Sequence, residues 1–349
     1  LVTMANEHFA QIASPQLAKM LKPACLRMLT SGDADQARTA AIAADRLTID
    51  GLDAAMAGLL PGKGNDPAFT AAAVHVLARA PTAHLETIKS VLAADRGAAA
   101  HIAALAALAA VDAESAKLLA PKVAKGLPAA SHAGLAHRLS GSTAGARLVL
   151  DLLDAGTLSK ALVDRTLVAR VAASTKGDQR TAGLLQDLQA ARAAQVKEAH
   201  KNLARFLPAA AKKNTNLATG GALFTGLCLS CHSVGGKGAG FAPALDGSAH
   251  RNSEHLLTAI LDPDAAIEGN YTAYRVFKHD GSAVQGYLAR EDASGVALRF
   301  MGGGEMVISR ADIASSGFRS GRSVMPAGLI DAFSPEQVAD LLAFIRTLK

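Results

Sequence analysis

"CLSCH", residues 228–232, is the stretch on which the reading of this chain turns. Two cysteines stand three apart and a histidine follows the second directly. On one helical turn that spacing brings both thiols to neighbouring positions, with the imidazole just behind them. A thioredoxin-like redox pair shares the C-x-x-C spacing but needs a βαβ setting, and the flanking sequence offers none. A zinc site needs more ligands, and there is no second cysteine pair. The third cysteine, Cys25 in "KPACLRML", reads as a small buried apolar residue.

Upstream of the motif, from Ser14 to about Arg205, the chain reads as short helices divided by punctuation such as "SGDAD" (31–35), "PGKGNDP" (61–67), "KGLP" (125–128) and "STKGD" (174–178). Ser14 is placed to cap a helix beginning at Pro15, and Asp178 to cap a long later segment. The breaks recur every 13 to 18 residues in places. Paired helices of that length suggest a HEAT-like solenoid with short units, with an irregular helical bundle as the alternative. "LPAAAKKNTNLATGG" begins as a small, polar linker, taken as residues 207–219. A helix from about Ala218 to Cys231 then leads into the motif. Residues 252–263 read as a capped helix ended by Pro263. Four β-rich segments follow, divided by "DG", "EDASG" and "GGG", and predict an antiparallel sheet over about 271–310. The last helix opens with Ser334 at the N-cap, Pro335 at N1 and Gln337 at N3, the pattern of a capping box.

Composition narrows the partners. Half of the 349 residues are apolar but only 4% are aromatic, so alanine fills the interior and favours closely packed helices. The net charge of +6 arises within residues 1–205 and is spread along them, which fits solvated helix faces and not a nucleic-acid surface. The most apolar stretch, residues 97–111, is too short and too alanine-rich for a membrane span. The chain opens "LVTMANEHF", with neither an initiator Met nor a basic leader, so a processed chain or a piece of a longer one is expected.

Two thiols at this spacing can each add to one vinyl group of a haem, and the following His232 then becomes the proximal iron ligand. Pro243 stands eleven residues after His232, in "GAGFAPALDG". This run resembles the small c-type cytochromes. The resemblance implies that the Pro243 carbonyl accepts the His232 Nδ1–H, that Leu245 lines the cofactor, and that Gly221 and Phe224 meet Leu341 and Phe344 where the first and last helices cross. Met325, in "RSVMPAGL", matches the family's distal thioether; Met301, Met306, His250, His255 and His279 are weaker candidates. Arg251, Arg319, Arg322, Asn270 and Tyr271 are candidate partners for the haem propionates.

The resemblance also has a narrower form. With Phe224, Cys228, Cys231, His232, Pro243 and Leu245, then Leu256 to Pro263, Ile267, Tyr271, Asp280, Gly281, Gly286, Ser323, Met325, Pro326, Gly328 and Asp340, residues 220–349 are similar to the haem-binding domain of Planctomycetes and Verrucomicrobia proteins. In that family helical repeats commonly precede the haem domain.

The sequence therefore implies a mainly α chain: a HEAT-like helical repeat domain (1–206), a linker (207–219), and a class I-like cytochrome c domain with an inserted sheet (220–349). One haem c is expected, covalent through Cys228 and Cys231, with His232 and Met325 on the iron. The expected function is electron transfer to or from a redox partner protein or dehydrogenase domain, in the periplasm or otherwise exported. An open-site haem enzyme or gas sensor, or a dehydrogenase fragment whose catalytic part lies elsewhere, are the alternatives. No catalytic residue is assigned. In the helical half no metal-ligand constellation emerges from spacing, since His75 and His84 stand nine apart, and His132 and His137 five apart.

Overall fold

The structure is a computed structural model that describes residues 15–63, 66–212 and 214–348. The Ser14 cap lies outside the described residues. The chain is mainly helical, with a small antiparallel sheet.

The helices of the first part are α1 (Pro15–Thr30), α2 (Ala34–Arg46), α3 (Asp53–Lys63), α4 (Pro67–Leu77), α5 (Leu85–Ala93), α6 (Ala98–Val111), α7 (Ala113–Gly126), α8 (His132–Leu139), α9 (Thr143–Asp154) and α10 (Arg165–Thr175). Their starts are chemically marked. Asp33, Asp66, Asp112, Ser142 and Asp164 each accept backbone N–H groups at a helix N-terminus. Helices α2, α4, α6 and α8 pack in succession, and α1, α3, α5 and α7 pack against members of that row. Alanine makes the close approach possible: Ala40, Ala41, Ala73, Ala103 and Ala104 are all buried in one continuous core. Cys25 belongs to the same core and is fully buried.

Helix α11 (Gln179–Ala210) spans 32 residues, capped by Asp178. Here the sequence-based boundary needs correction. Residues 207–210 are helical, not linker, and Pro208 sits in the last turn. The reason is tertiary. Phe206 and Ala209 are buried, and Phe206 joins the core of the C-terminal part, which holds the helix through its proline. Leu217 to Thr219 are also helical, since Asn216 caps the next helix, α12 (Leu217–Leu227). Only a short connection between Ala210 and Asn216 remains. The C-terminal half of α11 packs on α13 (Ser253–Leu261) and α14 (Pro335–Ile345), so it belongs to both parts of the chain. A two-pronged Arg192–Asp262 pair, at 2.5 and 2.8 Å, fixes it to the end of α13.

A two-stranded hairpin, β1 (Ser233–Val234) and β2 (Lys237–Gly238), follows the motif. The main sheet contains β3 (Thr272–Lys278), β4 (Ala283–Glu291), β5 (Gly295–Arg299), β6 (Glu305–Ser309) and β7 (Ile313–Ser323), in the order β6-β5-β4-β3-β7. The sheet runs past the expected limit near residue 310. Strand β7, "IASSGFRSGRS", is too rich in Ser and Gly to announce itself, and pairing with β3 makes it a strand.

Alternation along the strands gives the sheet two jobs. One face carries Tyr274, Val276, Val296, Leu298 and Ile308 into a small core of their own. The other face carries Arg275 and Phe277 against the helical part, and Tyr287 towards the motif. At the first contact, Asp164 accepts Nη1 of Arg275 at 2.9 Å and Nε of Arg319 at 3.1 Å while also capping α10. His137 stacks on Phe277, with ring centroids 4.0 Å apart, and bonds Ser315 Oγ at 2.7 Å. Gly134 of α8 sits so close to Gly281 that a Cβ would lie 2.0 Å from the Gly281 carbonyl oxygen.

Two predictions follow from this interface. Asp164→Ala leaves two guanidinium groups without their shared carboxylate and should lower unfolding stability by about 3–5 kcal/mol in a denaturant titration. His137 is pushed down to about 4, mainly by burial and then by Arg170, Arg138 and Arg275. The folded state thus holds it neutral where the unfolded chain protonates it. Its contribution is complete above pH 6.5 and lost as pH falls from 6.5 towards 4, on the order of 2 kcal/mol after allowing for partial exposure. His279 and His232 shift the same way, so His137→Gln should flatten that acid-side slope in part.

Candidate functional site

Helix α12 carries the motif to its place. It crosses α14 with almost no separation: a Cβ on Gly220 would lie 2.0 Å from the Asp340 carbonyl oxygen, and one on Gly221 would lie 2.9 Å from the Phe344 ring. Phe224 and Phe344 meet at 5.4 Å between centroids, and Leu341 is buried beside them in the same core. The Asn216 backbone N–H donates to Asp340 Oδ1 at 2.7 Å. The expected crossing is present, with Gly220 adding the closest approach.

After Leu227 the helix gives way to turns. The N–H of Cys231 and that of His232 both donate to the Cys228 carbonyl, at 3.1 and 2.8 Å. The loop that follows folds back on the motif: Ala239 N–H donates to Leu229, Ala242 N–H to Cys231 and Leu245 N–H to Ser233. Gly238, at φ +105°, allows this, because a Cβ there would lie 2.2 Å from the His232 carbonyl oxygen. The return brings the Pro243 carbonyl 2.6 Å from His232 Nδ1. A carbonyl can only accept, so Nδ1 carries the hydrogen and Nε2 keeps its lone pair. Burial pushes the imidazole below its ordinary pKa, against the Pro243 hydrogen bond and the charge of Glu268. Cys228 is pushed up to about 11 by burial and then by Cys231, and neither thiol is in a disulfide.

These groups face a cavity of about 330 Å³, within the range of small-molecule and cofactor sites. Cys228, Cys231, His232, Pro243 and Leu245 line it, and so do Met325, Tyr271 and Arg251. The inner wall is apolar, with Leu256 and Ile260 from α13 and Leu341 and Ile345 from α14. An aromatic group stands on the sheet side, where Tyr287 contacts Phe241 at 4.6 Å and Tyr271 at 5.3 Å. Met325 follows the end of β7, its N–H donating to Ser323 Oγ at 3.1 Å. Thus two thiols, one imidazole lone pair and one thioether share a single apolar chamber.

The other candidates separate. Met301 also lines the cavity but is 61% exposed, in the Gly-rich turn between β5 and β6; Met306 is exposed elsewhere on the sheet. His250 and His255 do not line the cavity. Arg319 is turned towards the helical part, bonded to Asp164 and Gln285, which corrects its expected role beside the propionates. Arg322 pairs with Asp264 at 3.2 Å, and Arg251 at the cavity rim with Glu268 at 3.8 Å. Tyr287 and Phe241 were not singled out by sequence reasoning. Only the fold brings them to the chamber, so nothing in their local sequence could have marked them.

Residues 217–301 match the family model described as Cytochrome c. The match begins at the first residue of α12 and covers the motif, the Pro243 loop and most of the sheet. This part of the chain is thus similar to a cytochrome c domain. The match spans roughly a quarter of the chain and leaves the helical part outside it. No curated protein matches the chain. The donor set of the chamber fits the covalently bound haem c that the family implies, and haem-based electron transfer is the class of chemistry it supports. Among the described residues no helix is long and apolar enough to cross a membrane.

The Gly220 contact yields a test of this framework. Gly220→Ala forces α12 and α14 apart, with an expected loss of about 1–3 kcal/mol. Thermal unfolding followed at the cytochrome c domain should report it, and Gly226→Ala, where a Cβ meets nothing within 4 Å, should be well tolerated.

Proposed function

We propose that this protein is an electron carrier with one haem c, which Cys228 and Cys231 would hold covalently and whose iron His232 Nε2 and Met325 Sδ would ligate. The observation that carries the reading is that His232, oriented by the Pro243 carbonyl, and Met325 line the same chamber as both cysteines. When bound, the haem supplies a one-electron ferric/ferrous couple. Each protein group then has a defined task. The Pro243 carbonyl fixes the imidazole and raises its basicity. A thioether from Met325 raises the potential and closes the iron to outside ligands. The apolar wall from α13 and α14 keeps water away, which favours the less charged, reduced state. Arg251 and Tyr271 at the rim are suited to the propionates.

On this reading the helical part is a HEAT-like scaffold that presents the cytochrome c domain to a redox partner protein or dehydrogenase domain. The stacked order of α2, α4, α6 and α8 supports it. The similarity to the Planctomycetes and Verrucomicrobia haem-binding domain points the same way. Covalent attachment of haem implies a periplasmic or otherwise exported protein.

The test is the optical spectrum of the haem-loaded chain, oxidised and reduced, with and without carbon monoxide, beside Met325→Ala. A low-spin ferric spectrum with a thioether charge-transfer band, lost in the variant, and a reduced form that ignores carbon monoxide are the expected results. High-spin iron or ready carbon monoxide binding in the parent would overturn the Met325 assignment and favour an open-site haem enzyme or sensor.

A further inference from the structure

A second group of ligand-type side chains lies away from the haem chamber, where the helical part meets the sheet. Asp45 comes from α2, His75 from α4 and His279 from the turn between β3 and β4. One ligand atom from each lies within 4.8 Å of the other two. His75 Nδ1 is 3.0 Å from Asp45 Oδ2, and the rings of His75 and His279 are 5.8 Å apart, edge to face. The side chains of His75 and Asp45 are only 8% and 13% exposed.

The three groups share one electrostatic environment: burial opposes and the hydrogen bond and charge of His75 hold the Asp45 carboxyl below the usual range, and burial pushes His279 below its ordinary value. Neither ring nitrogen of His279 has a hydrogen-bond partner among the described residues. The backbone fixes where that ring sits. His279 N–H donates to the Asp312 carbonyl at 2.9 Å, and the turn abuts α8 at Gly134.

We propose that Asp45, His75 and His279 form a binding site for one zinc-class divalent ion, which rivets the helical part to the sheet of the cytochrome c domain. Two imidazoles and one carboxylate match the donor preference of zinc over calcium or magnesium, which favour all-oxygen sites. Tetrahedral bonds of about 2.0–2.1 Å set ligand atoms about 3.3 Å apart. The Asp45–His75 pair already has nearly that spacing, and the His279 donor, within 4.8 Å of both, is the one that closes in when the ion binds. Water takes the fourth position. Arg79 stands 3.7 Å from Asp45, and Arg46 and Arg138 act on His279. These positive charges weaken the site, so micromolar and not picomolar binding is expected. Spacing in the helical half gave no such constellation because its third ligand lies about two hundred residues further along the chain.

The test is zinc binding by the full chain with haem attached, so that the cysteines do not compete, measured by equilibrium dialysis with metal analysis. One zinc per chain beyond the iron, bound tighter than about 10 µM, is expected, together with a raised melting temperature. Loss of a group that merely supports a ligand already costs 10–100-fold, so His279→Ala should weaken binding about 100-fold or more. Its haem spectrum should be unchanged, and the exposed His200→Ala should bind as the parent does. If His279→Ala does not fold, His279→Gln and Asp45→Asn keep the volume and serve instead. No zinc bound below about 10 µM by the parent, or equal binding by the folded variants, would overturn the site and leave a hydrogen-bonded interface cluster.

Discussion

The backbone contact between α12 and α14 is the constraint on which the C-terminal part depends. Only glycine at position 220 lets the first turns of α12 reach the Asp340 carbonyl. That approach brings Phe224 onto Phe344 and sets the end of α12, hence the positions of Cys228, Cys231 and His232. The same pair of helices receives the C-terminal half of α11, whose buried Phe206 fills the core behind them. Close packing leaves no slack here, so the chamber inherits its shape from the crossing.

Helix α11 and the sheet carry that geometry to the rest of the molecule. The helix is continuous from the helical part into the core of the cytochrome c domain, with Arg192 gripping Asp262 on the way. The sheet closes the other side through a single face: Tyr287 lies at the chamber while Arg275 and Phe277 lie against α8 and α10. The helical part and the cytochrome c domain are therefore joined twice. Two joints of this kind hold the cytochrome c domain in one orientation on the helical part.

The interface gathers charge for a reason that differs from the chamber's. In the chamber the inner wall is apolar, and the His232 imidazole is oriented by one bond, to the Pro243 carbonyl. Between the helical part and the sheet, Asp164 serves two arginines, and Asp45, His75 and His279 lie together nearby. Buried ionic groups of this kind fix one mode of docking, because any other leaves a charge unpaired. Such a surface specifies orientation more than it adds stability.

What the sequence determined by itself was local. The thiol spacing of Cys228 and Cys231, the adjacent His232, the Pro243 eleven residues on, and the caps at Asp178 and Ser334 all act over a few residues or one loop. Their geometry is therefore written in their spacing. What only the tertiary structure decided depends on partners far away in the chain. Residues 207–210 stay helical through Pro208 because Phe206 and Ala209 are buried. The Ser- and Gly-rich β7 is a strand because β3 pairs with it. Arg319 turns from the haem side to Asp164, and His279 arrives beside His75, because the sheet docks one particular face on the helical part. Local composition cannot encode these outcomes, since each is chosen by burial and pairing against residues it has no covalent reason to meet.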